Sequence, residues 1–285
     1  METILTTPMI SEASVALFGN DAIEFVDYEG RKQTFVPDDT RGFFRFDLAH
    51  AFPKGGTIYG TALHPTVTGN SWPSLYGQNV NYEHRVKAYH PKDASVDDRI
   101  LGSVMAVTYP RAPHQGWKMD AASEVVPAVS GVGSFAKLAT AVSKMIGEHK
   151  GGRHKWTVSM EVRYDYTLAG FLVELNGSNK IASGTPDDVA KAGFEWFSWT
   201  DADDELRSSF SIPKNRITKP YKKRKPWMMM GGLNGTVNFC GVGIVKYGAE
   251  PTARILQMAA SGEESLCESV SNLGELMKQA LQKYR

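Results

Sequence analysis

The stretch Trp156-Thr157-Val158-Ser159-Met160-Glu161-Val162-Arg163 alternates apolar and polar side chains along its whole length. Such alternation is typical of a β-strand with one face on the core, because successive side chains of a strand point to opposite faces. The apolar row begins at Trp156, and the polar row includes Ser159 and Glu161. We therefore predict a strand from Lys155 to Tyr166 on which Ser159 faces away from the core, where a reactive hydroxyl lining a cleft would point.

Short extended segments are predicted on both sides of this strand, from β-branched and aromatic runs bounded by turn residues. They are residues 22–26 and 32–36 (a hairpin), 43–48, 57–63, 80–88, 100–109, 117–126, 170–175, 235–239 and 242–247. Few segments have helical spacing. The fold class predicted from this pattern is therefore α+β, mostly β.

Three segments have helical character. The clearest is predicted to begin at Ser134, a good N-cap, because apolar residues recur at helical spacing from Phe135 to Ile146. A short helix is predicted from Thr185 to Ala192, and the C-terminal segment also has helical spacing. The predicted organisation is one β-rich domain over 1–258, with residues 200–227 as a surface insert, followed by a helical tail over 259–285.

Composition narrows the class of protein. The chain has 285 residues, of which 42% are hydrophobic and 22% charged, as is ordinary for a globular protein. The formal net charge of +1 does not favour a dedicated nucleic-acid binder. The two cysteines, Cys240 and Cys267, form neither a disulfide framework nor a zinc-binding set, which favours a reducing, cytoplasmic environment. No apolar run approaches the length of a transmembrane helix, and the N-terminus lacks a secretory signal pattern.

The candidate chemistry comes from two residues on separate predicted strands. His84 ends the stretch Asn81-Tyr82-Glu83-His84, and Ser159 lies in the strand described first. A serine hydroxyl is a poor nucleophile until a positioned imidazole accepts its proton. The pair therefore predicts nucleophilic acyl transfer, provided that folding brings the two side chains together.

A third, acidic group is expected to orient the imidazole and stabilise its charged form. Asp120 and Glu124 are candidates because they lie four residues apart on one predicted strand and so share a face. Glu161 also lies on the same side of its strand as Ser159. Three further histidines are rival bases in loop-like sequence, namely His90, His114 and His154.

Other patterns have plainer explanations. Gly131-Val132-Gly133-Ser134 resembles a phosphate-binding loop, but it lacks the fuller dinucleotide or Gly-Lys-Ser/Thr pattern and is interpreted as a turn into a helix. The basic segment 219–227 holds two aromatic residues and is interpreted as a solvated loop, with nucleic acid or an acidic protein as the alternative partner. No metal-ligand motif is present, so no metal or cofactor is predicted.

The order of these segments resembles that of the prohead (head-maturation) proteases of tailed bacteriophages, which are related in fold to the herpesvirus assemblins. In that family a strand ending in histidine precedes an Ile/Leu-Gly-x-Val strand, an acidic strand, a helix, a glycine and the serine-bearing strand. The matching parts here are Asn81–His84, Ile100–Val104, Trp117–Val126, the 135–146 helix with Gly151-Gly152, and Val158-Ser159-Met160. A later match is Gly241–Ala253, and the resemblance spans about residues 57–256.

The resemblance implies a serine endopeptidase with a compact β-barrel flanked by helices. It implies Ser159 as nucleophile, His84 as general base, and Asp120 or Glu124 as the orienting acid, with no cofactor. The implied substrates are phage scaffold and capsid protein, together with the protease itself, inside the immature procapsid in the bacterial host cytoplasm. The alternative is a non-enzymatic virion structural or assembly protein that uses the same barrel as a scaffold, with the C-terminal helix as a docking element.

Overall fold

The structure is a computed structural model. It describes residues 22–84, 100–109, 128–136, 156–175, 184–210, 221–222, 224 and 226–259. No described helix is long and apolar enough to cross a bilayer.

A curled, half-barrel sheet of seven strands dominates the described chain. Its strands, in chain order, are β3 (Arg41–His50), β5 (Asn79–Tyr82), β6 (Ile100–Thr108), β7 (Ala128–Ala136), β8 (Thr157–Arg163), β12 (Asn238–Val245) and β13 (Arg254–Ala259). They are arranged across the sheet as β13-β3-β7-β6-β5-β12-β8. All neighbours are antiparallel except β5 and β12, which run parallel. The order places β12 between β5 and β8.

A four-stranded sheet and a hairpin complete the β structure. The four strands are β4 (Thr61–Ala62), β9 (Gly170–Glu174), β10 (Phe194–Ser198) and β11 (Pro226–Met229), in the order β10-β9-β11-β4. The hairpin pairs β1 (Ile23–Val26) with β2 (Lys32–Phe35). The described helices are short: α1 (Pro65–Ser71), α2 (Pro186–Lys191), α3 (Asp204–Ser209), and 3₁₀ turns at Trp72–Leu75 and Tyr166–Leu168.

One apolar cluster joins the two larger sheets. Val158, Val242 and Ile244 enter it from the seven-stranded sheet, and Phe171 and Met228 enter it from the four-stranded sheet. A second cluster lies under the hairpin, where Phe25 packs near Phe43 on the other face of β3. Because β3 is covered on both faces, most of its residues are buried.

Much of the strand prediction is confirmed. The hairpin, β3, β6, β8 and β9 lie where the sequence pattern predicts strands, and α2 begins at the predicted cap, with Thr185 accepting a hydrogen bond from the Asp188 backbone amide. The two strands predicted over 235–239 and 242–247 are instead one strand, β12.

The prediction that a helix begins at Ser134 is wrong, because Ser134 and Phe135 lie in β7. The Ser134 hydroxyl accepts from the Ser103 amide and donates to the Ser103 carbonyl, so it bonds to the neighbouring strand rather than capping a helix. The glycines before it are strand residues, so the interpretation as a turn, like the resemblance to a phosphate-binding loop, is also wrong. The remainder of the predicted helix, residues 137–146, lies outside the described residues.

Two further expectations are corrected. The strand carrying His84 ends at Tyr82, so His84 lies in a turn rather than in a strand. Residues 200–227 are not only a surface insert, because Leu206 and Tyr221 are buried and Pro226 begins a core strand. The predicted strand at 117–126 and all but the first residue of the predicted tail at 259–285 lie outside the described residues.

Candidate functional site

Three neighbouring strands place polar side chains on one face of the seven-stranded sheet. Asn81 of β5 is opposite Gly243 of β12, and Gly243 is in turn opposite Ser159 of β8. Two residues away along each of these two strands, Gly241 is opposite Glu161. The alternate residues of all three strands, such as Val158, enter the core. Ser159 therefore faces away from the apolar core.

Gly241 and Gly243 of β12 form a glycine floor, over which the side chains of Glu161 and His84 lie. A Cβ at Gly243 would lie 2.7 Å from Nδ1 and Cε1 of His84 and 3.2 Å from its Nε2, which is too close for real carbon contacts. A Cβ at Gly241 would overlap a carboxylate oxygen of Glu161. Both side chains thus occupy the space that ordinary side chains on β12 would fill.

His84 reaches this position through an unusual turn. Glu83 and His84 have positive φ angles of 50° and 56°, a region that costs a non-glycine residue roughly 1–3 kcal/mol. The Glu83 amide donates to the Ile244 carbonyl at 2.9 Å, which ties the turn to β12. The chain therefore turns directly after β5 and brings the imidazole back over Gly243. Strained backbone of this kind often occurs at functional sites.

A short hydrogen bond fixes the imidazole. His84 Nδ1 lies 2.7 Å from Glu161 Oε1, and the Asn81 side-chain amide donates to the same oxygen at 2.7 Å. The carboxylate accepts, so Nδ1 carries a hydrogen, and in the neutral ring Nε2 has the free lone pair. The Glu161 side chain is 7% exposed and that of His84 is 36% exposed. The ring is thus held from the buried side and remains open to solvent.

Ser159 is the neighbour of this pair across the sheet. It lies directly opposite Gly243, and paired residues of adjacent strands have Cβ positions about 4.5–5.5 Å apart. It is 6% exposed. Among the contacts of the described residues, its hydroxyl makes no hydrogen bond to His84. Such bonds are often long in an enzyme without substrate and shorten in the complex.

The structure thus brings His84 and Ser159 to one face and adds Glu161 as the partner of Nδ1. Asp120 and Glu124 lie outside the described residues, as do His90, His114 and His154, so the roles considered for them stay predictions. The sequence already placed Glu161 on the same strand face as Ser159. The sequence pattern did not predict the turn at residues 83–84, which brings the imidazole to that carboxylate.

The basic segment has both of its aromatic residues engaged in the fold. Tyr221 is buried and donates to Asp203 at 2.9 Å, and Trp227 packs edge-on against Phe52. Neither ring is freely presented for base stacking. Among the residues the structure describes, no group of three or more His, Cys, Asp or Glu side chains is arranged to hold a metal ion.

Comparison of the chain with protein-family models, with curated proteins and with solved structures finds no match.

Proposed function

We propose that this chain is a serine peptidase in which Ser159 is the nucleophile, His84 the general base and Glu161 the acid that orients it. The observation that carries the proposal is the His84–Glu161 hydrogen bond of 2.7 Å on the glycine floor directly beside Ser159. Each group has the chemistry its role needs. The carboxylate holds Nδ1–H, so Nε2 is the nitrogen that can accept the serine proton.

The reaction follows from these roles. Ser159 Oγ attacks the carbonyl carbon of a peptide bond as His84 takes the hydroxyl proton, and the resulting imidazolium is stabilised by Glu161. His84 then gives that proton to the leaving amine as the carbon–nitrogen bond breaks. Water, deprotonated by His84, hydrolyses the acyl-enzyme and restores the serine. Backbone amides would stabilise the oxyanion, which is often the largest electrostatic contribution.

The proposed substrates are scaffold and capsid proteins of an assembling phage head. This part of the proposal is supported by the order and spacing of segments that resemble the prohead proteases. A mostly β fold with a curled half-barrel sheet is compatible with the barrel of that family. The proposed place of action is the immature procapsid in the host cytoplasm.

The proposal is tested by cleavage of co-expressed scaffold and by labelling with a serine-reactive phosphonate followed by peptide mapping. We expect Ser159→Ala, His84→Ala and Glu161→Ala each to lower cleavage strongly, the first two by roughly a thousandfold or more, with no additivity between them. Ser130→Ala is the matched control, because Ser130 likewise lies in a strand of the seven-stranded sheet, and its hydroxyl bonds to the Asp47 carboxylate at 2.7 Å instead of taking part in the proposed site. Full cleavage by Ser159→Ala protein would remove Ser159 from the mechanism.

The second candidate function is a non-enzymatic virion structural or assembly protein. The burial of Ser159, at 6% exposure, is the observation that favours it, because a nucleophile must meet its substrate. The same labelling experiment separates the two functions. A phosphonate adduct mapped to Ser159 supports the peptidase. A fully folded chain that takes up no label and cleaves no scaffold supports the structural protein.

A further inference from the structure

Asn81 places a buried side-chain amide beside the His84–Glu161 pair. Asn81 is 0% exposed, and its Nδ2 donates to Glu161 Oε1 at 2.7 Å. This is the same oxygen that accepts from His84 Nδ1. Two donors from the β5 segment therefore meet on one atom of a side chain from β8.

We infer that Asn81 is a positioning residue, which fixes the Glu161 carboxylate and through it the orientation and proton affinity of His84. The inference rests on the proposed function for its effect on catalysis. The positioning itself is a property of the folded chain and can be measured without any substrate.

The chemistry of the amide suits this role. A buried carboxylate needs hydrogen-bond donors to remain ionised. Asn81 supplies a neutral donor, whereas a lysine or arginine would compete with the imidazolium for the same charge. The carboxylate also fixes the amide orientation, because only Nδ2 can donate to it.

The side-chain amide of Asn81 lowers the stability of the fold in one respect. Asn81 Oδ1 is buried and has no hydrogen-bond partner in the part of the chain that the structure describes. A buried oxygen without a partner is destabilising, so the amide is not optimal for folding alone. This observation favours a role for the donor in the site over a purely structural role.

Among the described residues of β5 and β8, the ionisable groups on this face are Glu161 and Arg163, because β5 places only Asn79 and Asn81 there. Glu83 lies in the turn next to His84. The removal of the Asn81 donor should therefore act first on Glu161, the side chain to which it bonds, and through Glu161 on His84.

The test follows the protonation of His84 by ring NMR signals, assigned by their absence in His84→Gln protein. Loss of the Asn81 donor leaves Glu161 Oε1 a stronger hydrogen-bond acceptor for His84. The imidazole should therefore become protonated at a higher pH. We expect the midpoint to rise by about one pH unit in Asn81→Ala. In Asn81→Asp it should rise further, because a second carboxylate then lies against the first.

Asn79→Asp is the matched control. Asn79 is exposed on the same face of β5, opposite Gly241, so its replacement adds the same charge near Glu161 without removing a hydrogen bond from that carboxylate. We expect a smaller shift there than in Asn81→Asp, because the added charge is exposed to solvent. Asn81→Asp is nearly isosteric with the natural residue and therefore gives a result even if Asn81→Ala does not fold.

In activity assays the acid limb of the pH profile should move in the same order, with kcat about tenfold lower in Asn81→Ala and KM little changed. An unchanged His84 midpoint in both Asn81 variants overturns the inference. An ordered shift in a chain that cleaves nothing upholds the positioning role and defeats the proposed function alone.

Discussion

At the scale of single residues, Gly243 matters because it has no side chain. The glycine lies between Asn81 and Ser159 in the sheet, and the His84 ring fills the space above it. Glycine in a strand interior weakens the strand but often marks a close approach of another group. Here the approaching group is the imidazole itself.

We expect Gly243→Ala to displace His84 and to lower peptidase activity by at least tenfold, because the new Cβ would lie 2.7 Å from two ring atoms. The turn that carries His84 is partly exposed, so the loss of stability should be smaller than the loss of activity. Cleavage assays and urea unfolding measure the two effects.

A double-mutant cycle provides the control for this prediction. In a His84→Ala background the clash is absent, so Gly243→Ala should cause no further loss of residual activity. An equal additional loss in both backgrounds would contradict an effect through His84.

Part of the site could be predicted from individual residues. The alternation around Ser159 gives its orientation correctly, because a strand has a period of two and one row is apolar. The position of His84 could not be predicted in this way. It depends on positive φ at two consecutive residues, Glu83 and His84, of which only histidine is among the non-glycine types enriched in this backbone.

At the scale of elements, a polar network ties the turn between β12 and β13 to the end of β3. His50 Nδ1 lies 2.8 Å from the Thr252 hydroxyl, which donates to Glu250 at 2.7 Å. Glu250 also accepts from the Gly56 amide at 2.6 Å. The same turn receives a hydrogen bond from Thr157 to the Ala253 carbonyl, so it borders the strand that carries Ser159.

This network makes stability depend on pH in two opposite ways. Burial, with a smaller contribution from Lys54, lowers the pKa of His50 below its usual value of 6.5. Its stabilisation is therefore present above pH 6.5 and is lost as pH falls through the folded-state value. Burial raises the pKa of Glu250 above 4.5, so its stabilisation is full below pH 4.5 and is lost as pH rises through the folded-state value.

We expect stability to fall less between pH 7 and pH 5 in His50→Gln than in wild-type protein, because glutamine does not titrate. The measurement is the free energy of unfolding in urea at several pH values and constant ionic strength. In the same variant the Glu250 contribution, which favours the folded state on acidification, should be less offset. Identical pH dependence in variant and wild type would refute the effect.

The segment 131–135 shows why one element was predicted wrongly. Gly131 and Gly133 do not form a turn. A Cβ at Gly133 would lie 2.5 Å from the Phe44 ring, and one at Gly131 would lie 2.8 Å from the Phe46 ring. These glycines make room for aromatic residues on the paired strand β3. That requirement comes from residues about ninety positions away and has no local pattern.

At the scale of the molecule, the two larger sheets share one core. Phe171 of the four-stranded sheet is 0% exposed and belongs to the same cluster as Val158 and Ile244 of the seven-stranded sheet. The fold class was predictable because many short alternating runs favour a mostly β protein. The division into two sheets was not, because strand order depends on pairing between distant segments.

We expect Phe171→Ala to lower the free energy of unfolding by about 3–5 kcal/mol, because it leaves a cavity between the sheets. Unfolding should remain a single transition, since one core supports both sheets. Coincident urea curves from far-UV circular dichroism and tryptophan fluorescence check this. Phe35→Ala, in the partly exposed hairpin, is the control and should cost less. Two separated transitions would contradict a shared core.

Ser159 and Glu161 lie two residues apart on β8, and each is opposite a glycine of β12. If β8 slipped by one position along β12, every side chain of the strand would change faces. Ser159 and Glu161 would then leave the polar face together, and Val158 and Met160 would be exposed in their place. The apolar row of this edge strand thus holds the polar row in position, and on the proposed mechanism a slipped strand retains no activity.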